Sequence, residues 1–168
     1  ANGLRDLGVT GTSHCAVFSG NKPMGLAAVL GVLRSGGVWS PVNARNAVAE
    51  NSSFLQTVEC EVLIYHSEFS DAVTQIRQKV DTIKFCICID QSMNGDPCLQ
   101  DWLDSGSTEN FLLPYDQDKL AAIPGTGGTT GKPKGVCITN RVFQTYMANM
   151  LACLKFDQSS VYLAAAPI

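Results

Sequence analysis

Ile123-Pro124-Gly125-Thr126-Gly127-Gly128-Thr129-Thr130-Gly131-Lys132-Pro133-Lys134-Gly135 is the stretch on which the reading of this sequence turns. Glycines carry no Cβ, so a run this rich in them can turn its N–H groups inward at positive φ as a concave anion nest. Thr126, Thr129 and Thr130 add hydroxyl donors, and a lysine supplies the point charge that a polyphosphate needs. Leu120 to Ile123 before it and Val136-Cys-Ile-Thr139 after it are apolar and β-branched, and read as strands.

Two familiar phosphate loops do not fit. The Walker pattern needs Gly where Thr126 stands and Ser or Thr where Pro133 stands, and it opens a helix whose dipole faces the phosphate. Here a strand follows instead. The dinucleotide fingerprint fails too, for want of a helix and of an acidic residue at the expected offset.

Outward from the loop, strands alternate with helices. His14 to Ser19 reads as a buried strand, with Asn21 as N-cap and Pro23 in the first turn of a helix over Met24 to Leu33. That helix is apolar nearly all round, so burial on most sides is expected. Ser35-Gly36-Gly37 ends it, and Val38 to Val42 makes the next strand. Asn46 is expected to cap a helix over Ala47 to Val58. Strand Val62–Tyr65, helix Phe69 to Lys79 and strand Lys84 to Ile89 follow.

Gln91 to Gly106 reads as a surface connection, with a short turn near Leu99 to Leu103. Beyond the loop, Thr139 or Asn140 caps a helix whose apolar pairs 142/143, 146/147 and 150/151 recur every four residues. The alternation predicts an α/β class: a layered sheet with mostly parallel strands and flanking helices.

A chain of 168 residues with 45% hydrophobic and 16% charged content suits one globular domain. A net charge of −3 without a basic run favours neither nucleic acid nor an anionic membrane, and no apolar stretch reaches spanning length. Seven cysteines, mostly in apolar runs, argue for reduced thiols in a cytoplasmic protein. Cys86 and Cys88 are expected on opposite faces of their strand, and no metal site is expected. His14 is taken as structural or exposed, Trp39 as core, and His66 as a strand-end histidine without a partner. Both ends read as cut: Leu4-Arg-Asp-Leu7 before Gly8 looks like the last turn of a helix, and Val161 to Ile168 like a bare apolar strand.

The loop closely resembles the phosphate-binding signature of adenylate-forming enzymes, a superfamily of acyl-CoA synthetases, luciferases and peptide-synthetase adenylation domains. Their pattern is Thr-Ser-Gly-Thr-Thr-Gly-x-Pro-Lys-Gly. Thr126, Gly128, Thr129, Thr130, Gly131, Pro133, Lys134 and Gly135 match it. Gly127 replaces the usual serine, and Gly125 stands where an aromatic is common. The likeness continues in Gly8-Val-Thr-Gly-Thr-Ser-His-Cys-Ala-Val17, in Asn21, in Leu30 to Gly37 and in Pro41-Val-Asn-Ala-Arg45, similar to the family's Pro-Leu-Asn-Pro-Arg. Peptide-synthetase domains more often have Asp at the place of Asn43, which tilts the resemblance toward an acyl-CoA ligase.

The resemblance implies an ATP-dependent carboxylate–CoA ligase: a carboxylate attacks ATP, and the acyl-adenylate then passes to coenzyme A. Residues 1–168 would be the N-terminal portion of its large AMP-binding domain, with the C-terminal domain absent. ATP, Mg2+ and CoA are the implied cofactors, with a carboxylic acid and the rest of the protein as partners. Thr126, Gly127, Gly128, Thr129, Thr130, Gly131 and Lys134 would hold the phosphates, Lys134 acting on the leaving pyrophosphate. The family's aromatic–His stretch, its Tyr-Gly-x-Thr-Glu segment, its ribose-binding Asp and its catalytic C-terminal Lys are not found in these residues, so the chain alone is expected to be inactive. A non-catalytic nucleotide-binding or scaffold module and an amino-acid adenylation domain stay open as alternatives.

Overall fold

Every residue of Val62–Tyr65 is buried, as are all but the first of His14–Phe18. Strands without polar alternation need cover on both faces, which a parallel sheet with helices on each side provides. In the computed structural model, which describes residues 1–126 and 134–163, such a sheet has six strands.

The elements in chain order are α1 (Asn2–Asp6), β1 (His14–Phe18), α2 (Pro23–Ser35), β2 (Val38–Trp39), α3 (Val48–Thr57), β3 (Val62–Tyr65), α4 (Ser70–Arg77), β4 (Phe85–Cys88) and α5 (Leu99–Ser105). Then come β5 (Leu120–Ala122), β6 (Gly125–Thr126), β7 (Lys134–Gly135), β8 (Ile138–Thr139) and α6 (Asn140–Cys153). The sheet order is β4-β3-β1-β2-β5-β8, parallel throughout except for β8, while β6 and β7 form a separate antiparallel pair.

The strand period of two sorts the core into two layers. Ala16, Phe18, Leu63, Tyr65, Cys86 and Cys88 meet Phe54 and Leu55 of α3 and Val73 and Ile76 of α4. Cys15, Val17, Val62, Ile64 and Ile87 meet Leu4 of α1 and Ala28, Val29 and Val32 of α2. The β1–α2–β2 crossover therefore covers one face and β2–α3–β3 the other. The winding reverses between β1 and β3, and in such sheets ligands gather outside the carboxyl ends of the strands at that point.

Several expectations change. α2 buries only the stripe of Gly25, Ala28, Val29, Val32 and Ser35, leaving Leu26 46% and Leu30 57% exposed, because one sheet face covers one side of a helix. Its N-cap is Lys22 and not Asn21, with no side-chain capping bond. The N-cap of α3 is Ala47, and Asn46 instead donates to Glu50 Oε1 at 3.0 Å. The strand expected over Val136 to Thr139 is split, with Lys134–Gly135 pairing back on β6 and Ile138–Thr139 joining the sheet. Leu99–Ser105 is a full helix. Residues 161–163 form no strand, and 164–168 lie outside the described residues.

Other local signals hold. Gly36, at φ 92°, lets the amides of Gly36 and Gly37 close on the Leu33 and Val32 carbonyls and ends α2. Thr139 Oγ1 accepts from the Val142 amide and caps α6. Residues two apart on a strand share a face, so Cys86 and Cys88 stand together in one layer, contrary to the expectation of opposite faces. Five of the seven thiols are buried. Burial, with Glu61 nearby, pushes Cys15 up to about 12, and burial pushes Cys86 to about 11, so both stay protonated as small hydrophobes.

A buried polar link ties the connection after β4 to the sheet. Tyr65 donates to Asp96 Oδ2 at 2.9 Å, and Arg77 forks onto the same carboxylate at 3.0 and 3.2 Å. Tyr65→Phe should cost about 1.5–3 kcal/mol in urea unfolding, the worth of a hydrogen bond to a charged group. A loss below about 0.5 kcal/mol, within the scatter of neutral surface changes, would show that Arg77 alone holds Asp96.

Candidate functional site

Because β1 to β5 run parallel, their carboxyl ends share one edge of the sheet, and the glycine-rich stretch leaves from that edge. Pro124 turns the chain out of β5, and β6 pairs with β7 in the register Gly125 with Gly135 and Thr126 with Lys134. The Val136 amide donates to the Pro124 carbonyl at 2.9 Å and closes the base of this stem. Thr126 Oγ1 donates across it to the Lys134 carbonyl at 3.3 Å.

Of the residues singled out by sequence, Thr126 and Lys134 are thus brought face to face on an exposed two-strand stem. The Lys134 side chain makes no hydrogen bond or ion pair among the described residues. Gly127, Gly128, Thr129, Thr130 and Gly131 lie outside the described residues, as do Lys132 and Pro133.

The stem rests on α3. A Cβ at Gly125 would stand 3.1 Å from Cε2 of Phe54, and a Cβ at Gly135 would overlap Ile123 Cγ2 and meet Val58 Cγ1 at 3.6 Å. Sequence reasoning had placed Phe54 and Val58 only as residues of a helix. No local signal ties them to a loop some seventy residues downstream.

A second group on the same edge was also missed. His66, expected to have no partner, is met by Lys22 and Asp90 from distant segments and by Glu68 two residues on. Lys22 Nζ donates to its Nε2 at 3.0 Å, Glu68 Oε1 stands 3.3 Å from its Nδ1, and Asp90 Oδ2 3.6 Å from its Nε2. Lys22, His66 and Asp90, with Pro23, Met24, Ile89 and Gln100, line a cavity of about 410 Å3 beside the β1/β3 reversal. The one sequence signal for it was the position of His66 just past a strand's carboxyl end. His14, by contrast, bonds the Val58 carbonyl through Nδ1, and Trp39 packs against the core, as expected of structural residues.

Asn43 serves its own turn. Its Oδ1 accepts from the Arg45 amide at 3.0 Å and its carbonyl accepts from Asn51 Nδ2 at 2.9 Å. An aspartate could accept the same amide, so Asn43 does not by itself separate the resembled acyl-CoA ligases from peptide-synthetase domains.

Residues 1–168 match the AMP-binding enzyme family, and the chain belongs to it. Its relatives are acyl-CoA ligases. It is 29% identical over 174 residues to crotonobetaine/carnitine–CoA ligase of Salmonella paratyphi B, which covers 99% of this chain and 33% of that protein. The N-terminal domain of FACL13 from Mycobacterium tuberculosis superposes with a TM-score of 0.72 at 27% identity, covering 83% of this chain and 34% of the other. Acetoacetyl-CoA synthetase from Streptomyces lividans shares the fold, with a TM-score of 0.81 at 21% identity over 89% of this chain and 25% of that one. The chain therefore spans about a third of the length of the curated relatives it matches. No helix among the described residues is long and apolar enough to cross a membrane.

Asp90 anchors the second group. Burial would raise its pKa, but bonds from the Ser67 hydroxyl at 2.6 Å and amide at 2.9 Å, with Cys88 and His66 beside it, bring it down to about 2. A depressed carboxyl stabilises the fold above its unfolded value, near 4, and loses that contribution as pH falls through the folded value. Asp90→Asn should therefore lower the melting temperature at pH 5 to 7, with the gap to the parent closing between pH 4 and 2. A gap independent of pH would mean that the charge of Asp90 does not matter.

Proposed function

We propose that residues 1–168 are the N-terminal portion of the large nucleotide-binding domain of an ATP-dependent carboxylate–CoA ligase. The observation that carries this reading is the stem on the carboxyl edge, which sets Thr126 opposite Lys134, whose ammonium has no partner among the described residues, at the two ends of a glycine–threonine run. Family membership and the acyl-CoA ligase relatives support it.

In this reading a carboxylate oxygen of the substrate attacks the α-phosphorus of ATP. The bond to the bridging oxygen breaks, and pyrophosphate leaves with the electron pair. The acyl group then passes to the thiol of CoA, releasing AMP. Positioning and electrostatics dominate such displacements. Gly127, Gly128 and Gly131 would present amides to the β- and γ-phosphates, and Thr126, Thr129 and Thr130 their hydroxyls. Lys134 would neutralise the charge that grows on the leaving pyrophosphate.

The Lys134 ammonium, without a partner among the described residues, and the glycine-rich sequence between β6 and β7 fit a polyphosphate. Mg2+ would supply positive charge to the phosphates when bound, but no described residue is assigned to it, because no group of three His, Cys, Asp or Glu side chains among them could hold a metal. Mg2+ and CoA are assigned to the parts of the relatives that this chain does not cover, so residues 1–168 should not turn over alone. The seven free cysteines support a reducing, cytoplasmic setting.

Lys134→Ala in the full-length protein should weaken ATP by about 1.5–3 kcal/mol, roughly ten- to a hundredfold, the worth of a charge-assisted bond. ATP–pyrophosphate exchange against a panel of carboxylates measures it. Unchanged ATP affinity and unchanged exchange would remove Lys134 from the site. Exchange with amino acids alone would favour an amino-acid adenylation domain.

A further inference from the structure

Phe54 of α3 and Val58, the residue that caps its C-terminus, are one helical turn apart and so share a face. Their spacing matches the stem above them. Phe54 is 6% exposed, and its Cε2, Cδ2 and Cζ would stand 3.1, 3.4 and 3.5 Å from a Cβ at Gly125 of β6. Val58, also 6% exposed, lies under Gly135 of β7, the residue that pairs with Gly125. Ile123 Cγ2 occupies the Cβ direction of Gly135 beside Val58. Both stem glycines thus sit where a side chain from below already occupies the Cβ direction. Neither glycine has the positive φ that would explain it by backbone conformation alone.

We propose that Phe54 and Val58 are positioning residues of the phosphate loop, forming a seat on α3 that sets the height of the β6–β7 stem, with the Phe54 ring taking the place of a side chain at position 125. This deepens the function proposed above and rests on it for its catalytic consequence. Position 125 is where the resembled signature commonly carries an aromatic. Here the ring comes from the helix, and glycine at 125 is what makes room for it. A ring at 54 and a ring at 125 compete for one volume, so exactness of fit belongs to the pair and not to either residue. Rigid support matters because a loop that drops by a fraction of an ångström misplaces every phosphate donor it carries.

The test is a side-chain swap in the full-length protein: Phe54→Ala, Gly125→Phe and the double variant, with Phe54→Leu added because it keeps most of the buried volume. Two readouts are followed. One is amide hydrogen exchange at Val136, whose bond to Pro124 closes the stem. The other is KM for ATP against kcat in pyrophosphate exchange. Phe54→Ala should speed Val136 exchange and raise KM for ATP, each about tenfold, with kcat within about twofold, and Phe54→Leu should lie between it and the parent. Gly125→Phe alone should be at least as damaging, and the double variant should return both readouts to within about threefold of the parent.

The proposal is overturned if the double variant is no better than the worse single one. It is also overturned if Phe54→Ala or Phe54→Leu lowers the melting temperature but leaves Val136 exchange and KM unchanged, since Phe54 would then be core and nothing more. If Val136 exchange follows the swap while the parent itself shows no ATP-dependent activity, the seat stands and the ligase reading fails.

Discussion

A parallel sheet must be covered on both faces, and that constraint organises this molecule. Because β1 and β3 are apolar on both sides, α2 has to pack on one face and α3 with α4 on the other. Alternate cover forces the winding to reverse between β1 and β3, and it aligns the carboxyl ends of five strands along one edge. Both polar groups described above, the Thr126–Lys134 stem and the Lys22–His66–Asp90 group, stand on that edge as a consequence.

The cover ends with β5. β8 runs antiparallel at the margin of the sheet, and α6, which follows it, has no buried residue. Val142, Tyr146, Met147 and Leu151 lie exposed along it, and the chain continues to Val161, 97% exposed. The strict four-residue spacing of these apolar residues is the pattern of a helix that normally packs on one side. The described residues supply no such partner, and the relatives are some three times longer than this chain.

How far the sequence could be read follows from how local each signal is. Strands β1, β3 and β4 were legible because buried parallel strands are continuous apolar runs, and the end of α2 because Gly36 has a conformation few other residues adopt. The caps at Asn21 and Asn46 were misplaced because a good capping residue competes with the tertiary position of the helix start, and here position won. The stem could not be foreseen: Lys134–Gly135 and Ile138–Thr139 look like one strand, and only the pairing of Gly125 with Gly135 divides them. Likewise the partners of His66 come from Lys22 and Asp90, forty-four residues before it and twenty-four after it, which only the sheet brings together. Glycine at 125 was legible only as a departure from the resembled signature, where an aromatic is common. In three dimensions it is the counterpart of Phe54.

The account turns on whether the stem presents its loop to a polyphosphate. The most direct measurement is an NMR titration of the full-length protein with pyrophosphate, watching the amides of Thr126, Lys134, Gly135 and Val136. Saturable shifts concentrated on these four are the predicted result. Saturation with the stem unmoved, and shifts gathered instead at Lys22, His66 and Asp90, would contradict it.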